Sequence, residues 1–155
     1  MGKLVWHSWA RLLALTSGAY VAWAALWAFF YRKFFWDFVG GTLGPTGLIP
    51  PASAAFFIKV IVDAPILQVL NLLNGLFTLA LEWPLNPLVG TAVHESHVFR
   101  LIFYFWSAFL AMFVYQTVDG GVFYFIAMLA YSRSLSKGEQ IGRPWVHNTD
   151  FKLQT

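Results

Sequence analysis

The sequence contains no cysteine and few charged residues. Without cysteine there are no disulfides, no thiolate nucleophiles and no thiolate metal sites among its 155 residues. Charged residues make up only 11% of the chain, against roughly 25% in an average soluble domain. The formal net charge is +3, and no basic patch carries spaced aromatic residues. The sequence therefore predicts no nucleic-acid partner.

The chain is rich in apolar residues. Hydrophobic residues make up 59% of the chain, and the mean hydropathy is +0.62. A chain of this length has room for about four membrane spans of about 20 residues each. The composition predicts an all-α integral membrane protein, a four-helix transmembrane bundle with a long Gly/Pro-rich connection between spans one and two. The predicted spans are about 12–31, 65–82, 101–118 and 121–137.

These spans define one membrane-embedded domain, residues 1–137, followed by a polar tail, residues 138–155. In the connection, glycines and prolines between residues 40 and 51 predict a loop. Residues 52–62 predict a short helix that breaks near Pro65, with one continuous helix as the alternative. The run Asp119-Gly120-Gly121 predicts a tight turn between spans three and four.

The distribution of basic residues predicts an orientation. With four spans, most lysines and arginines fall on the side that carries both chain ends, and basic loops are retained in the cytoplasm. The sequence thus predicts an integral membrane protein with both termini, and the tail, in the cytoplasm. It does not distinguish the plasma membrane from an endomembrane.

The second predicted span carries a polar stripe. At about 100° per residue, its amide and hydroxyl side chains fall on one helix face, together with Gly75. These residues are Gln68, Asn71, Asn74 and Thr78. Polar side chains in an apolar solvent are costly unless they face protein or a cavity, so the stripe should face other helices.

Two interpretations of the stripe remain open. In the first, the amides hydrogen-bond to neighbouring helices and hold the bundle together. In the second, they line a pocket for a lipid or sterol. The candidate aromatic walls of that pocket are Tyr20, Trp23, Trp27, Tyr104 and Trp106.

Glu82 and Arg100 form a candidate interhelical clasp. Glu82 ends the second predicted span and Arg100 begins the third, so an antiparallel hairpin places both at the same boundary. We expect a salt bridge or a shared hydrogen-bond network between them. The alternative is that each side chain extends separately to water.

His94 and His97 are the weak candidates for a metal site. Their spacing matches one helical turn, but the local sequence HESHV is not the HExxH zinc motif. The sequence therefore predicts no metal and no cofactor, and a solvated turn around these histidines. Two close histidines could also make this turn pH-responsive.

Four segments together resemble a known pattern. They are SWARL near the N-terminus, PILQVLNLLNGL in the second span, the LEWPLNPLVGT turn, and Arg100 at the start of the third span. The combination resembles an uncharacterised family of small fungal multi-pass membrane proteins. That resemblance implies a four-span protein of unknown function and transfers no catalytic residue.

The predicted function is a structural, lipid-interacting or accessory component of a membrane complex. One alternative is a lipid- or sterol-binding protein or enzyme that uses the bundle interior, and another is a small transporter. The apolar parts of spans one, three and four contain no carboxylate for proton transfer, so no catalytic residue is predicted. The expected partners are membrane lipids, with sterol as a further candidate, and a membrane protein or a second copy of the chain.

Overall fold

The computed structural model describes residues 5–83, 85 and 91–139. This part of the chain contains six α-helices and one two-stranded antiparallel sheet. The helices are α1 Trp6–Ala28, α2 Ala55–Ile58, α3 Ile66–Glu82, α4 Ala92–Glu95, α5 His97–Ala111 and α6 Val118–Ser136. The strands are β1 Thr42–Gly44 and β2 Gly47–Ile49. Most of the predicted LEWPLNPLVGT turn lies outside the described residues, as do residues 140–155 of the predicted tail.

Helices α1, α3, α5 and α6 form the body of the fold. Helix α1 packs against α3 and α6, and α5 packs against α6. The backbones of α1 and α3 approach closely at Gly18 and Gly75, where a Cβ built on Gly75 would lie 2.8 Å from the Gly18 carbonyl oxygen. The interior between α1, α5 and α6 is filled by alanines and three tyrosines, Tyr104, Tyr124 and Tyr131. Small side chains on the facing helices thus allow close packing.

The prediction of a four-helix transmembrane bundle is wrong. No single helix in the described part of the chain is both long enough and apolar enough to cross a membrane. Helices α1 and α6 have the length but not the hydropathy, whereas α5 is apolar but has only 15 residues. The segment Ala52–Asp63 and helix α3, bent by 65° relative to each other, together have the length and composition for one crossing. The predicted localisation, an integral membrane protein with cytoplasmic termini, is therefore also wrong.

The third and fourth predicted spans also have the wrong boundaries. Helix α5 ends at Ala111, and the chain then turns, held by bonds from the backbone N–H of Phe35 to the Phe113 carbonyl and of Tyr115 to the Lys33 carbonyl. The predicted turn at residues 119–121 is instead the first turn of α6. Its glycines allow α6 to approach α1 and α5 closely, because a Cβ on Gly120 would lie 2.3 Å from Val21.

The connection predicted as a loop contains regular structure. A short 3₁₀ turn, Phe35–Phe38, leads into the β1–β2 hairpin, in which Thr42 pairs with Ile49. Helix α2 then continues into a π-helical turn, Lys59–Asp63, and the chain bends by 65° before α3 begins. The bend places the segment Ala52–Asp63 obliquely against the end of the bundle rather than in line with α3.

Candidate functional site

A column of buried polar side chains runs along the inner face of α3. Each member is 3% exposed or less. We call this column the polar axis, and its members are Gln68, Asn71, Thr78 and Glu82 from α3, Arg100, Tyr104 and Ser107 from α5, Thr117 before α6, and Tyr124, Tyr131 and Ser134 from α6. Buried polar groups are costly unless they are bonded, so the partners of these side chains show what the axis does.

At one end of the axis, two amides bond to the ends of neighbouring helices. Gln68 Nε2 donates to the carbonyl oxygens of Ala28 at 3.4 Å and Ile61 at 2.7 Å. Asn71 Nδ2 donates to the carbonyl oxygen of Leu110 at 3.4 Å. Ala28 is the last residue of α1, and Leu110 lies in the last turn of α5. The last carbonyls of a helix lack partners within the helix. The amide of Gln68 therefore supplies a donor to the last carbonyl of α1, and the amide of Asn71 supplies a second donor to the Leu110 carbonyl, which also accepts from the Phe113 backbone N–H.

In the middle of the axis, the hydroxyl of Thr78 links α3 to α6. It lies 2.8 Å from the carbonyl oxygen of Asn74 and 2.7 Å from the hydroxyl of Tyr124. Asn74 is only half buried and lies at the edge of the stripe. The structure thus brings Gln68, Asn71 and Thr78 into the interior with partners on other helices, and leaves Asn74 outside that network. Whether the stripe also binds a ligand stays a prediction.

At the other end of the axis, Glu82 and Arg100 are in contact. The Arg100 Nε lies 2.9 Å from Glu82 Oε1, and the hydroxyl of Tyr104 donates to the same oxygen. Arg100 also donates from Nη1 to the carbonyl oxygen of His94. The Glu82 carbonyl oxygen accepts from Arg11 Nε at 2.8 Å, which adds α1 to the network. Four helices therefore meet at one ion pair.

The aromatic rings around this pair determine its electrostatics. The guanidinium of Arg100 lies over the Tyr131 ring, 5.6 Å from its centroid, and Tyr104 is stacked between Tyr131 and Tyr124. Burial and the Glu82 carboxylate raise the pKa of Tyr104 and of Tyr131 well above the ordinary value. Burial alone would lower the pKa of Arg100, but Glu82, Tyr131 and Tyr104 together outweigh burial and raise that pKa. The tyrosines thus stay neutral, and the guanidinium stays charged.

His97 and Glu139 connect this end of the axis to the start of α1. The His97 Nε2 lies 3.3 Å from the Ser134 hydroxyl, which donates to Glu139 Oε2 at 3.1 Å. The Glu139 carboxylate accepts the backbone N–H groups of His7, at 2.9 Å, and Trp6, at 3.3 Å. A carboxylate is well placed there, because the first N–H groups of a helix lack partners and the helix dipole favours negative charge.

The metal-site candidates do not come together as ligands. His97 is buried against Ser134, whereas His94 is half buried on the short helix α4. Within residues 5–83, 85 and 91–139, no three His, Asp or Glu side chains are grouped as metal ligands.

The aromatic walls proposed for a ligand pocket mostly point outward. Tyr104 is buried, but Tyr20, Trp23, Trp27 and Trp106 are exposed. They do not enclose the polar stripe.

Acidification is expected to destabilise the protein through His97. Burial, together with the charge of Arg100, lowers the pKa of His97 below the ordinary 6.5, and burial also lowers those of His7 and His94. The unfolded chain then binds protons first as the pH falls through about 6.5, so stability decreases there and levels off below the folded pKa. We expect His97→Gln to reduce this slope, as measured by denaturant unfolding across the pH range. An unchanged slope would exclude His97 as a source.

Glu139 gives stability a second pH dependence, which is separate from that of His97. Burial alone would raise the pKa of Glu139, but hydrogen bonds from the backbone of His7 and Trp6 lower it below 4.5. Stability from Glu139 is therefore present above that value and lost only as the pH falls through the lower, folded pKa. The two groups thus act in different pH windows.

Several members of the polar axis were not predicted as site residues. Tyr124 and Tyr131 are seven residues apart and share a face of α6, a spacing that could have indicated a buried stripe. Nothing local could have indicated Glu139, because its partners on α1 are more than 130 residues away. With its carboxylate buried and bonded, Glu82 is not placed to exchange protons with a substrate from solution.

Comparison with known proteins gives a family but no activity. A family model, described as a domain of unknown function, DUF7727, matches residues 1–139. The chain belongs to the DUF7727 family. The predicted resemblance is thus confirmed at the level of an uncharacterised family. No curated protein and no solved structure is significantly similar to the DUF7727 chain. Its function must therefore be argued from its own surface and interior.

Proposed function

We propose that this DUF7727 protein is a non-catalytic, lipid-interacting protein with a structural or accessory role. In this proposal, exposed apolar side chains of the long helices contact lipid acyl chains. The observation that carries it is the inverted distribution of side chains, with polar groups inside and large apolar groups outside. That the family is fungal stays a prediction.

Helix α3 shows the inversion most clearly. Its buried residues include Gln68, Asn71 and Thr78, whereas its outward face carries leucines, a valine and a phenylalanine that are 37–55% exposed. A helix at the surface of a water-soluble protein has the opposite arrangement, with an apolar stripe inward and polar residues outward. The outer face of α3 is therefore suited to an apolar environment.

The other long helices expose similar side chains. The exposed residues include Leu12, Trp23, Leu26 and Trp27 on α1, Val69, Leu73, Leu76 and Phe77 on α3, Ile102, Phe105, Trp106 and Phe109 on α5, and Val122, Phe125 and Leu129 on α6. A single apolar patch would suit one protein partner or a second copy of the chain. Apolar side chains on every long helix instead favour an occupant without a fixed shape, and lipid has that property.

The proposal predicts that the purified protein binds phosphatidylcholine vesicles. In a flotation experiment, we expect most of the wild-type protein to rise with the vesicles. The triple variant Leu73→Ser, Leu76→Ser, Phe77→Ser should bind at least tenfold less. Full burial of such a side chain contributes about 1.5–3 kcal/mol, and these three still have 37–55% of their surface to bury.

The hairpin supplies a matched control for this experiment. Leu43, Leu48 and Ile49 are also exposed but lie outside the long helices, so their triple serine variant should float like the wild type. A folded, monodisperse wild-type protein that stays in the lipid-free fractions would contradict the proposed function.

A further inference from the structure

An apolar groove lies beside the bend that precedes α3. It has a volume of about 430 Å³ and separates the segment Ala52–Asp63 from α3 and α5. All nine lining residues are apolar, and they include Phe56 and Val60 before the bend, Leu67 and Leu70 on α3, Phe109 on α5, and Phe113 just after α5. Its volume falls within the roughly 300–1,000 Å³ of small-molecule sites. We call it the bend groove.

The groove exists because of the local backbone. Helix α2 passes into the π-helical turn Lys59–Asp63, and the chain then bends by 65° at the break before α3. A straight continuation would lay the segment along the axis of α3, whereas the bend opens a wedge against the end of α5. The phenylalanines of both sides face this wedge, and Phe57 stacks on Phe113 at its inner end, with ring centroids 4.7 Å apart. The inner end is therefore closed by aromatic packing.

A lysine without a charged partner lies close to the lining residues along the chain. Lys59 is exposed, follows Phe56 by three residues and directly precedes Val60, and both of these residues line the groove. Helical geometry therefore places the backbone of Lys59 beside the lining face. Lys59 and Asp63 have the spacing of a helical ion pair. Yet Glu82–Arg100 is the only ion pair shorter than 4.0 Å among the described residues. A free ammonium group beside an apolar slot complements a ligand with one anionic group and an apolar tail.

We propose, on the basis of the lipid interaction inferred above, that the bend groove binds one long-chain fatty acid. The alkyl chain occupies the groove between Val60, Leu70 and Phe109, and its carboxylate pairs with Lys59. This site differs from the outer helix faces, which contact lipid without stoichiometry, because the groove is bounded on three sides and carries a charge at its mouth.

Binding of oleate to the purified protein, compared with binding of methyl oleate, tests the site. Native mass spectrometry in a nonionic detergent should show one oleate per chain, saturable, with methyl oleate weaker by about two- to fivefold, the worth of one exposed ion pair. Lys59→Gln should remove this difference between the two probes. Lys33→Gln changes a lysine that lies over the Tyr115 ring instead, so it should preserve the difference.

A second variant tests the groove itself. Leu70 lines the groove and is 39% exposed, so Leu70→Trp can fill the space without overpacking the interior. We expect it to weaken oleate binding about tenfold or more, since a built-in clash excludes the ligand. The matched control Leu73→Trp is exposed on the same helix outside the groove and should bind like the wild type. Circular dichroism checks that each variant is folded.

The outcomes separate the site from the proposed function. If oleate binds without saturation and equally to wild type, Leu70→Trp and Leu73→Trp, the groove proposal is wrong while the flotation result stands. If oleate saturates but Lys59→Gln leaves the preference over methyl oleate intact, the assignment of the carboxylate to Lys59 is wrong. If wild-type protein binds neither oleate nor vesicles, both proposals fail.

Discussion

Replacing Arg100 with leucine is expected to lower the free energy of unfolding by about 3–5 kcal/mol, which is typical of breaking a buried ion pair. The substitution leaves the Glu82 carboxylate 3% exposed and without its cation. It also removes the donor to the His94 carbonyl oxygen and the charge over the Tyr131 ring. Denaturant unfolding, followed by far-UV circular dichroism, measures the loss.

A double variant distinguishes the pair from its separate residues. Glu82→Leu alone should also lower the free energy of unfolding, because it leaves the Arg100 guanidinium buried without its carboxylate. The double variant Glu82→Leu, Arg100→Leu should then cost less than the sum of the two single changes, with a coupling of about 0.5–3 kcal/mol. Arg133→Leu, an exposed arginine on α6, is the control and should change stability by no more than about 0.5 kcal/mol. Strict additivity would show that the two side chains do not act as a clasp.

Replacing Gly75 with alanine should have the second largest effect on the free energy of unfolding. A Cβ at this position would lie 2.7 Å from the Ala22 backbone nitrogen and 2.8 Å from the Gly18 carbonyl oxygen. Both are backbone atoms, so α1 and α3 must move apart, which costs about 1–3 kcal/mol in overpacked interiors. Alanine is favoured over glycine within a helix by about 1 kcal/mol. We therefore expect a net loss of up to about 2 kcal/mol, measured by the same unfolding experiment.

Leu76→Ala supplies the control for Gly75→Ala. Leu76 is the next residue on α3 but faces outward, so its truncation leaves the α1–α3 contact intact. In a lipid-free detergent preparation its unfolding free energy should stay within about 0.5 kcal/mol of wild type. A Gly75→Ala protein more stable than wild type would mean that helix propensity outweighs the close approach.

The bounds of helix α3 could be predicted closely, because the sequence signals that define them lie within the helix and at its ends. The predicted range 65–82 differs from the observed Ile66–Glu82 by one residue, and the polar stripe at 3.6-residue spacing identified the buried face. The structure places Gln68, Asn71 and Thr78 on that face. Periodicity is sufficient where one helix carries both the pattern and the boundary signals.

The ends of α5 and α6 could not be predicted in the same way. Residues 101–118 contain no charge, so they look like one continuous apolar helix. What ends α5 is the pairing of the chain after Ala111 with the distant segment around Phe34. The glycines 120 and 121 likewise resemble a turn, yet they serve close helix packing. Both errors come from tertiary contacts that override local signals.

The candidate site likewise contains contacts that local sequence could predict and contacts that it could not. Glu82 and Arg100 could be paired in advance, because both flank one short connection between antiparallel helices. The tyrosine stack and the bonds from the Glu139 carboxylate to the start of α1 join residues that are far apart in sequence. No local pattern encodes those distances. The same limit explains why the candidate aromatic walls were assigned to the interior although four of the five face outward.

The contact of Glu139 with the start of α1 has a consequence for the order in which the protein is made. Helix α1 leaves the ribosome before α6, but the carboxylate that accepts from its first turn is 132 residues behind His7. The N–H groups of Trp6 and His7 therefore lack this acceptor until residue 139 has emerged. A chain stopped at Ser136 would contain α1 to α6 and still lack the bonds between Glu139 and the start of α1.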